Sequence, residues 1–171
     1  GQPPFGLAAA QQLQGKELSY NNIVDLEAAW DLAGEFDNPA CAIIKHASPC
    51  GAAIGGTIRE AYLKAYETDP VSAFGCVIGF NRRFDGETAN ETAKLFVEAI
   101  VAPGFEPEAL KILSGKKNLR LLAIDPGKAG SGWSGYELKR VSGGILIQSV
   151  DDVLMGPEMR VPTRRAPSDE E

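Results

Sequence analysis

Histidine occurs once in this chain of 171 residues, and cysteine three times, at Cys41, Cys50 and Cys76. So few side-chain nitrogen and sulfur ligands weigh against a zinc centre. A zinc deaminase needs a histidine followed two residues later by a glutamate, then Pro-Cys-x-x-Cys. Here His46 is followed by Ala47 and Ser48, and Pro49-Cys50 by Gly-Ala-Ala, so the glutamate and the second cysteine are both missing. Zinc is rejected on ligand count. The cysteine number is odd and no pair has C-x-x-C spacing, which predicts reduced, mostly buried thiols in a cytoplasmic protein.

Positive charge is also sparse. Seventeen Lys and Arg stand against 23 Asp and Glu, for a net charge of −6 and a pI near 4.9. That balance argues against tracking a phosphate backbone, and no nucleic-acid partner is expected. No apolar run approaches the roughly 20 residues that span a bilayer, so no membrane role is expected. Neither the phosphate loop G-x-x-x-x-G-K-[ST] nor the dinucleotide fingerprint occurs. The Gly-rich "GSGWSG" reads as a surface loop. The sequence begins Gly-Gln-Pro-Pro, without an initiator methionine or a signal-like segment, and reads as a trimmed chain.

What remains is ordinary for a globular domain: 44% apolar and 23% charged residues. Leu26, Ala29, Trp30 and Ala33 recur at helical spacing within residues 24–36, and Asn38-Pro39 ends that helix. "ACAIIKH" reads as a buried strand, and residues 52–69 as a helix containing paired glycines. "SAFGCVIGF" predicts a second buried strand, followed by a turn at "NRRFDGE". Helix "TANETAKLF", strand "EAIVAP", helix "PEALKILSGKK" and strand "LRLLAID" complete an alternating pattern. "ELKRVSGGILIQS" reads as strand, break, strand, and the polar, Pro-punctuated tail follows from Met155. Alternation of this kind predicts an α/β layer with a largely parallel sheet.

The one histidine lies in "IIKHASPCGAAIG", beside Lys45 and at the end of a predicted strand. Ligands of open α/β sheets gather at the carboxyl ends of strands, and a following helix would offer its N-terminus to an anionic group. An adjacent ammonium favours a neutral imidazole, able to act as a base, while the lysine stabilises an oxyanion. The competing reading is a strand-end histidine satisfied by a neighbour, and both stand on the residues alone. "TDPVSAFG" is equally a helix stop with strand entry or a ligand contact. Gly104 and Asp125 each follow a strand, where either a turn or a ligand contact is common.

Six stretches, in order, carry a wider likeness: "KELSYNN", "IIKHASPCGAAIG", "AYETDPVSAFG", "AIVAPGFEPEALKIL", "KKNLRLLAID" and "KRVSGGILIQ". Together they resemble the transformylase part of the bifunctional purine biosynthesis family, which joins aminoimidazole-carboxamide ribonucleotide (AICAR) formyltransferase to inosinate cyclohydrolase. The resemblance runs from about Pro4 to the Arg-Ala-Pro segment at 165–167. It implies a cytidine-deaminase-like three-layer α/β fold with a mixed, mainly parallel sheet and no zinc. It places residues 1–154 in the first transformylase subdomain and 155–171 in a polar tail leading to a second.

By the same resemblance, His46 matches the base that takes a proton from the substrate's exocyclic amine. Lys45 matches the group that stabilises the transition state of formyl transfer from 10-formyltetrahydrofolate. Gly104 and Asp125 match contacts to the ribonucleotide. AICAR and folate are the implied small-molecule partners, with a homodimer or a complementary second subdomain supplying the rest of the site. The cyclohydrolase domain, an "RYGENPHQ"-like segment and the second subdomain's Asn, Arg and Phe site residues are absent from this sequence. The chain alone is therefore expected to be inactive or incomplete, and a non-catalytic nucleotide- or folate-binding or interaction module is the alternative.

Overall fold

The computed structural model describes residues 5–125, 136–150 and 160–168. It divides into two compact units, Gly1–Gly132 and Trp133–Glu171. The subdomain boundary expected after residue 154 and the loop "GSGWSG" lie outside the described residues.

The first unit is an α/β/α sandwich. Its elements are β1 (Gln11–Gln14), α1 (Tyr20–Gly34), β2 (Ala40–Lys45), β3 (Ser48–Ile54), α2 (Ile58–Thr68), β4 (Cys76–Phe80), α3 (Gly86–Thr92), β5 (Val97–Ala102), α4 (Pro107–Leu113) and β6 (Arg120–Ala123). The sheet order is β1-β6-β5-β4-β2-β3. β4 pairs in parallel with β5, and β5 with β6, while β1–β6, β2–β3 and β2–β4 are antiparallel. The sheet is thus mixed, with β3, β4, β5 and β6 running the same way.

Helix α1 covers one face, where Leu26 and Ala29 pack on Ile44, Val77, Ala99, Val101 and Leu122. The other face carries α2, α3 and α4 over Ile43, Ile78, Phe80, Ile100 and Leu121. Burial from both sides explains why β2 and β4 read as continuous apolar runs rather than alternating ones.

Two glycines set how closely the layers approach. A Cβ on Gly79 would stand 2.1 Å from the Ala29 carbonyl oxygen, so α1 lies against β4 backbone to backbone. A Cβ on Gly51 would stand 2.0 Å from the Ala65 oxygen, the same contact made by α2 on β3. Asn81 then ties the sheet's end to the α1–β2 loop. Its Oδ1 accepts from Ala40 N at 2.8 Å, and its Nδ2 donates to the oxygens of Phe36 at 2.7 Å and Asn38 at 2.8 Å.

Three local expectations are corrected. Helix α1 begins one turn before Val24, because Ser19 and Asn22 form a reciprocal capping box. The helix expected over 52–69 begins only at Ile58, capped by Thr57; Ala52, Ala53 and Ile54 instead finish strand β3. The paired glycines end that strand, and Gly55 N donates to Pro39 O at 3.0 Å. The strand expected from Ser72 starts at Cys76. β1, within a stretch given no strand from sequence, pairs along β6.

In the second unit, β7 (Tyr136–Val141) and β8 (Gly144–Ser149) form an antiparallel hairpin. Leu138 pairs with Ile147, and Arg140 with Ile145, so exposed apolar side chains share one face of the ribbon. Among the described residues no helix is long and apolar enough to cross a membrane.

Candidate functional site

The Lys-His motif sits at a hairpin tip. Lys45 pairs with Ser48, leaving His46 and Ala47 as a two-residue turn between β2 and β3. Their φ angles are 53° and 58°. Two consecutive positive values mark a type I′ turn, normally made by Asn-Gly or a similar pair. Neither residue has glycine's freedom, so each costs on the order of 1–3 kcal/mol to hold there. The helix N-terminus expected after the motif is absent, because a second strand follows instead.

Neighbouring contacts hold this turn. Ala47 N donates to Asp25 Oδ1 at 2.7 Å, tying the tip to α1. Ile43 pairs with Gly51 and Ile44 with Pro49, which leaves Cys50 as the extra residue of a bulge. The Cys50 thiol donates to Ile43 O at 3.5 Å. Pro49 is accommodated because β3 is an edge strand.

Lys45 is fixed from the other side. Its Nζ donates to Phe74 O at 2.7 Å and to Gly75 O at 3.0 Å. An ammonium has three donors, and the third has no acceptor among the described residues. The carbonyls come from the "TDPVSAFG" segment, which is a loop built to present them. Asp69 closes its start by accepting from Ser72 N at 2.9 Å and Ser72 Oγ at 2.6 Å. Those bonds hold the Asp69 carboxyl below its ordinary range. Gly75 closes its end at φ +71°, donating to Phe96 O at 2.8 Å. Sequence reading missed this clamp; the glycine just before an apolar strand was its available signal.

His46 is exposed and borders a cleft of about 270 Å³ with Tyr20, Asn21, Val24, Asp25 and Ala47. Lys45 and His46, consecutive in the chain, lie at one edge of the sheet, where β2 ends and β4 begins, with the ammonium on the Phe74 and Gly75 carbonyls and His46 beside the cleft under α1. Gly104 and Asp125 lie at the opposite edge. Ala102 pairs with Ala123, so Gly104 and Asp125, two residues further on parallel strands, come level with each other. β4 spans the sheet between the two edges over five residues, about 17 Å. The two pairs of residues singled out from the sequence therefore stand apart within one chain, at opposite ends of the parallel strands.

The Gly104 edge carries both Asp37 and two arginines, Arg82 and Arg83. A Cβ on Gly104 would meet nothing nearer than Arg83 Nη1 at 3.6 Å. Beside it a cleft of about 600 Å³ is lined by residues including Trp30, Phe36, Arg82, Arg83 and Pro103. Arg83 Nη2 donates to Phe105 O at 3.1 Å, which fixes the guanidinium at the cleft's margin.

Cys41 and Cys76 are buried and free, while Cys50 is partly exposed. Burial pushes all three thiols upward, Cys76 to about 12. No group of three or more His, Cys, Asp and Glu residues able to hold a metal ion occurs among the described residues.

Solved structures to which this chain is similar share little sequence with it. Two forms of RibD from Acinetobacter baumannii are 16% and 17% identical over 57% and 61% of this chain, with TM-scores of 0.42 and 0.43. A formate dehydrogenase accessory protein from Desulfotalea psychrophila is 9% identical over 53%, with a TM-score of 0.43. The matches cover 31% and 33% of the RibD chains and 46% of the Desulfotalea one. Family membership rests on the sequence itself: matched by the family model over residues 2–171, the chain belongs to the AICARFT/IMPCHase bienzyme family of purine biosynthesis.

Proposed function

We propose that this chain supplies part of the formyl-transfer site of that family rather than its cyclohydrolase site. The reaction read here moves a formyl group from 10-formyltetrahydrofolate to the 5-amino group of AICAR. The observation that carries this reading is the Lys45 ammonium, held by two carbonyls, next to His46 on a strained hairpin tip.

The chemistry asks for these two groups. The exocyclic amine is a weak nucleophile, and its attack on the formyl carbon forms a C–N bond and places negative charge on the formyl oxygen. His46 takes the proton released from the amine, and the remaining N–H of Lys45 donates to the oxyanion. When the intermediate collapses, the bond to the folate nitrogen breaks and that nitrogen regains a proton.

The opposite placement of Gly104 and Asp125 supports a site completed between chains. A ligand touching Lys45 and His46 lies about a strand's length from those residues in the same chain. A second copy, or a complementary second subdomain, brings the missing edge to it. Alone, the chain retains a half-site and turns over poorly, since deleting groups that contact substrate costs orders of magnitude in rate.

Calorimetric titration with AICAR, and formyl-transfer assays in an assembly supplied with the missing half, test the reading. Lys45→Ala and His46→Ala are expected to abolish transfer while circular dichroism stays unchanged. Full turnover by His46→Ala would remove it from the base role.

A further inference from the structure

We infer that Asp25 is a positioning residue for His46, acting through the backbone of Ala47. The inference rests on the formyl-transfer reading of the Lys-His pair and adds to it a group on a different element. His46 and Ala47 both hold positive φ, a conformation two non-glycine residues abandon unless their surroundings enforce it. Asp25 projects from α1 and accepts from Ala47 N at 2.7 Å. Strand pairing alone sets where the hairpin reverses, at Lys45 and Ser48, but leaves the turn's amide unengaged. Asp25 closes that gap and lines the same cleft as the imidazole.

Helix α1 is itself anchored, with Leu26 next to Asp25 fully buried and Ala29 pressed on Gly79. The carboxylate is thus carried by a rigid support, and the backbone of the turn that bears His46 is set against that helix. Its oxygen engages a backbone N–H, so an amide oxygen in the same place serves as well as a carboxylate.

The test compares Asp25→Ala with Asp25→Asn. At a helical site alanine is the strongest helix former, so the fold is kept. Amide exchange of Ala47, followed by NMR in this chain, reports the contact without any turnover. Asp25→Ala is expected to speed that exchange about tenfold or more while core amides stay protected, and Asp25→Asn to leave it near the wild-type rate. In the complemented, active assembly, Asp25→Ala is expected to lower kcat about 10–100-fold with KM for the nucleotide little changed, and Asp25→Asn to restore it. Unchanged Ala47 exchange in Asp25→Ala overturns the contact. Faster exchange with unchanged kcat overturns the positioning role. An Asn variant as impaired as the Ala variant assigns the effect to charge and overturns the hydrogen-bond mechanism. If His46→Ala leaves turnover intact, the formyl-transfer reading fails, while the exchange result for Asp25 still stands or falls separately.

Discussion

The ammonium of Lys45 lies 2.7 Å from the carbonyl oxygen of Phe74, a residue 29 positions later in the chain. That bond and its companion to Gly75 convert a flexible side chain into a fixed cation. Gly75 is the vulnerable member. A Cβ there would stand 3.1 Å from Lys45 Nζ, on a residue already at φ +71°. Gly75→Ala is expected to release the ammonium, raising the reductive-methylation rate of Lys45 several-fold at unchanged secondary structure. Mass spectrometry of the methylated peptide reads this directly, and an unchanged rate would refute the clamp.

Close packing predicts a different outcome at Gly51. Its Cβ would overlap the Ala65 carbonyl at 2.0 Å, and backbone atoms on α2 have nowhere to retreat without lifting the helix. Gly51→Ala is expected to destabilise the first unit by about 3 kcal/mol, as overpacking does. Urea unfolding would show a lower midpoint at similar slope. Gly104→Ala is the control, since its Cβ would make only an ordinary contact with Arg83 Nη1 at 3.6 Å and the fold is expected to tolerate it.

On α1, Glu27 and Asp31 stand four residues apart. Desolvation first, and then repulsion from Asp31, raises the Glu27 carboxyl; desolvation and then Glu35 raise Asp31. A carboxyl raised in the folded state binds protons more readily there than when unfolded. Its contribution to stability therefore falls as pH climbs through the carboxylate range. Glu27→Gln is expected to stabilise the chain at pH 7 by about 0.3 kcal/mol, the scale of like charges at this spacing, and to have no effect below pH 4. Denaturation at the two pH values checks the sign.

Thiol reactivity follows burial. Cys41 and Cys76 are 1% and 0% exposed, and burial holds both in the thiol form at neutral pH. Cys50 is partly exposed, yet its thiol is also raised, by burial ahead of the opposing backbone hydrogen bond and the smaller pull of Lys45. One slowly reacting cysteine is expected with a disulfide reagent at pH 7, mapping to Cys50, and two more only after denaturation. Rapid labelling of Cys76 in the folded chain would contradict this packing.

Much of the α/β order was legible because β2, β4 and β5 are apolar runs and α1 keeps a helical period. Its least legible parts lie around the motif. "GAAIGGTIREAY" carries small apolar residues that suit helix and strand alike, and only Thr57, bonded to Glu60 N, fixes where α2 starts. The turn at His46-Ala47 has none of the residues that announce a hairpin, since tertiary contacts rather than local preference hold it. Likewise no periodicity reveals that Lys45 and Gly104 face opposite ends of one sheet; that follows from the antiparallel entry of β2 beside β4.

The unfavoured turn also has a kinetic meaning. A hairpin closed by Asn-Gly can form on its own in microseconds and seed what packs on it. One closed by His-Ala lacks that local drive, and β2–β3 pairing is expected to wait until α1 has docked and Asp25 is in place. Substitutions at Ala47 are then expected to change unfolding rates while leaving folding rates nearly untouched, placing the turn outside the nucleus. The chain would assemble its scaffold first and its chemistry last.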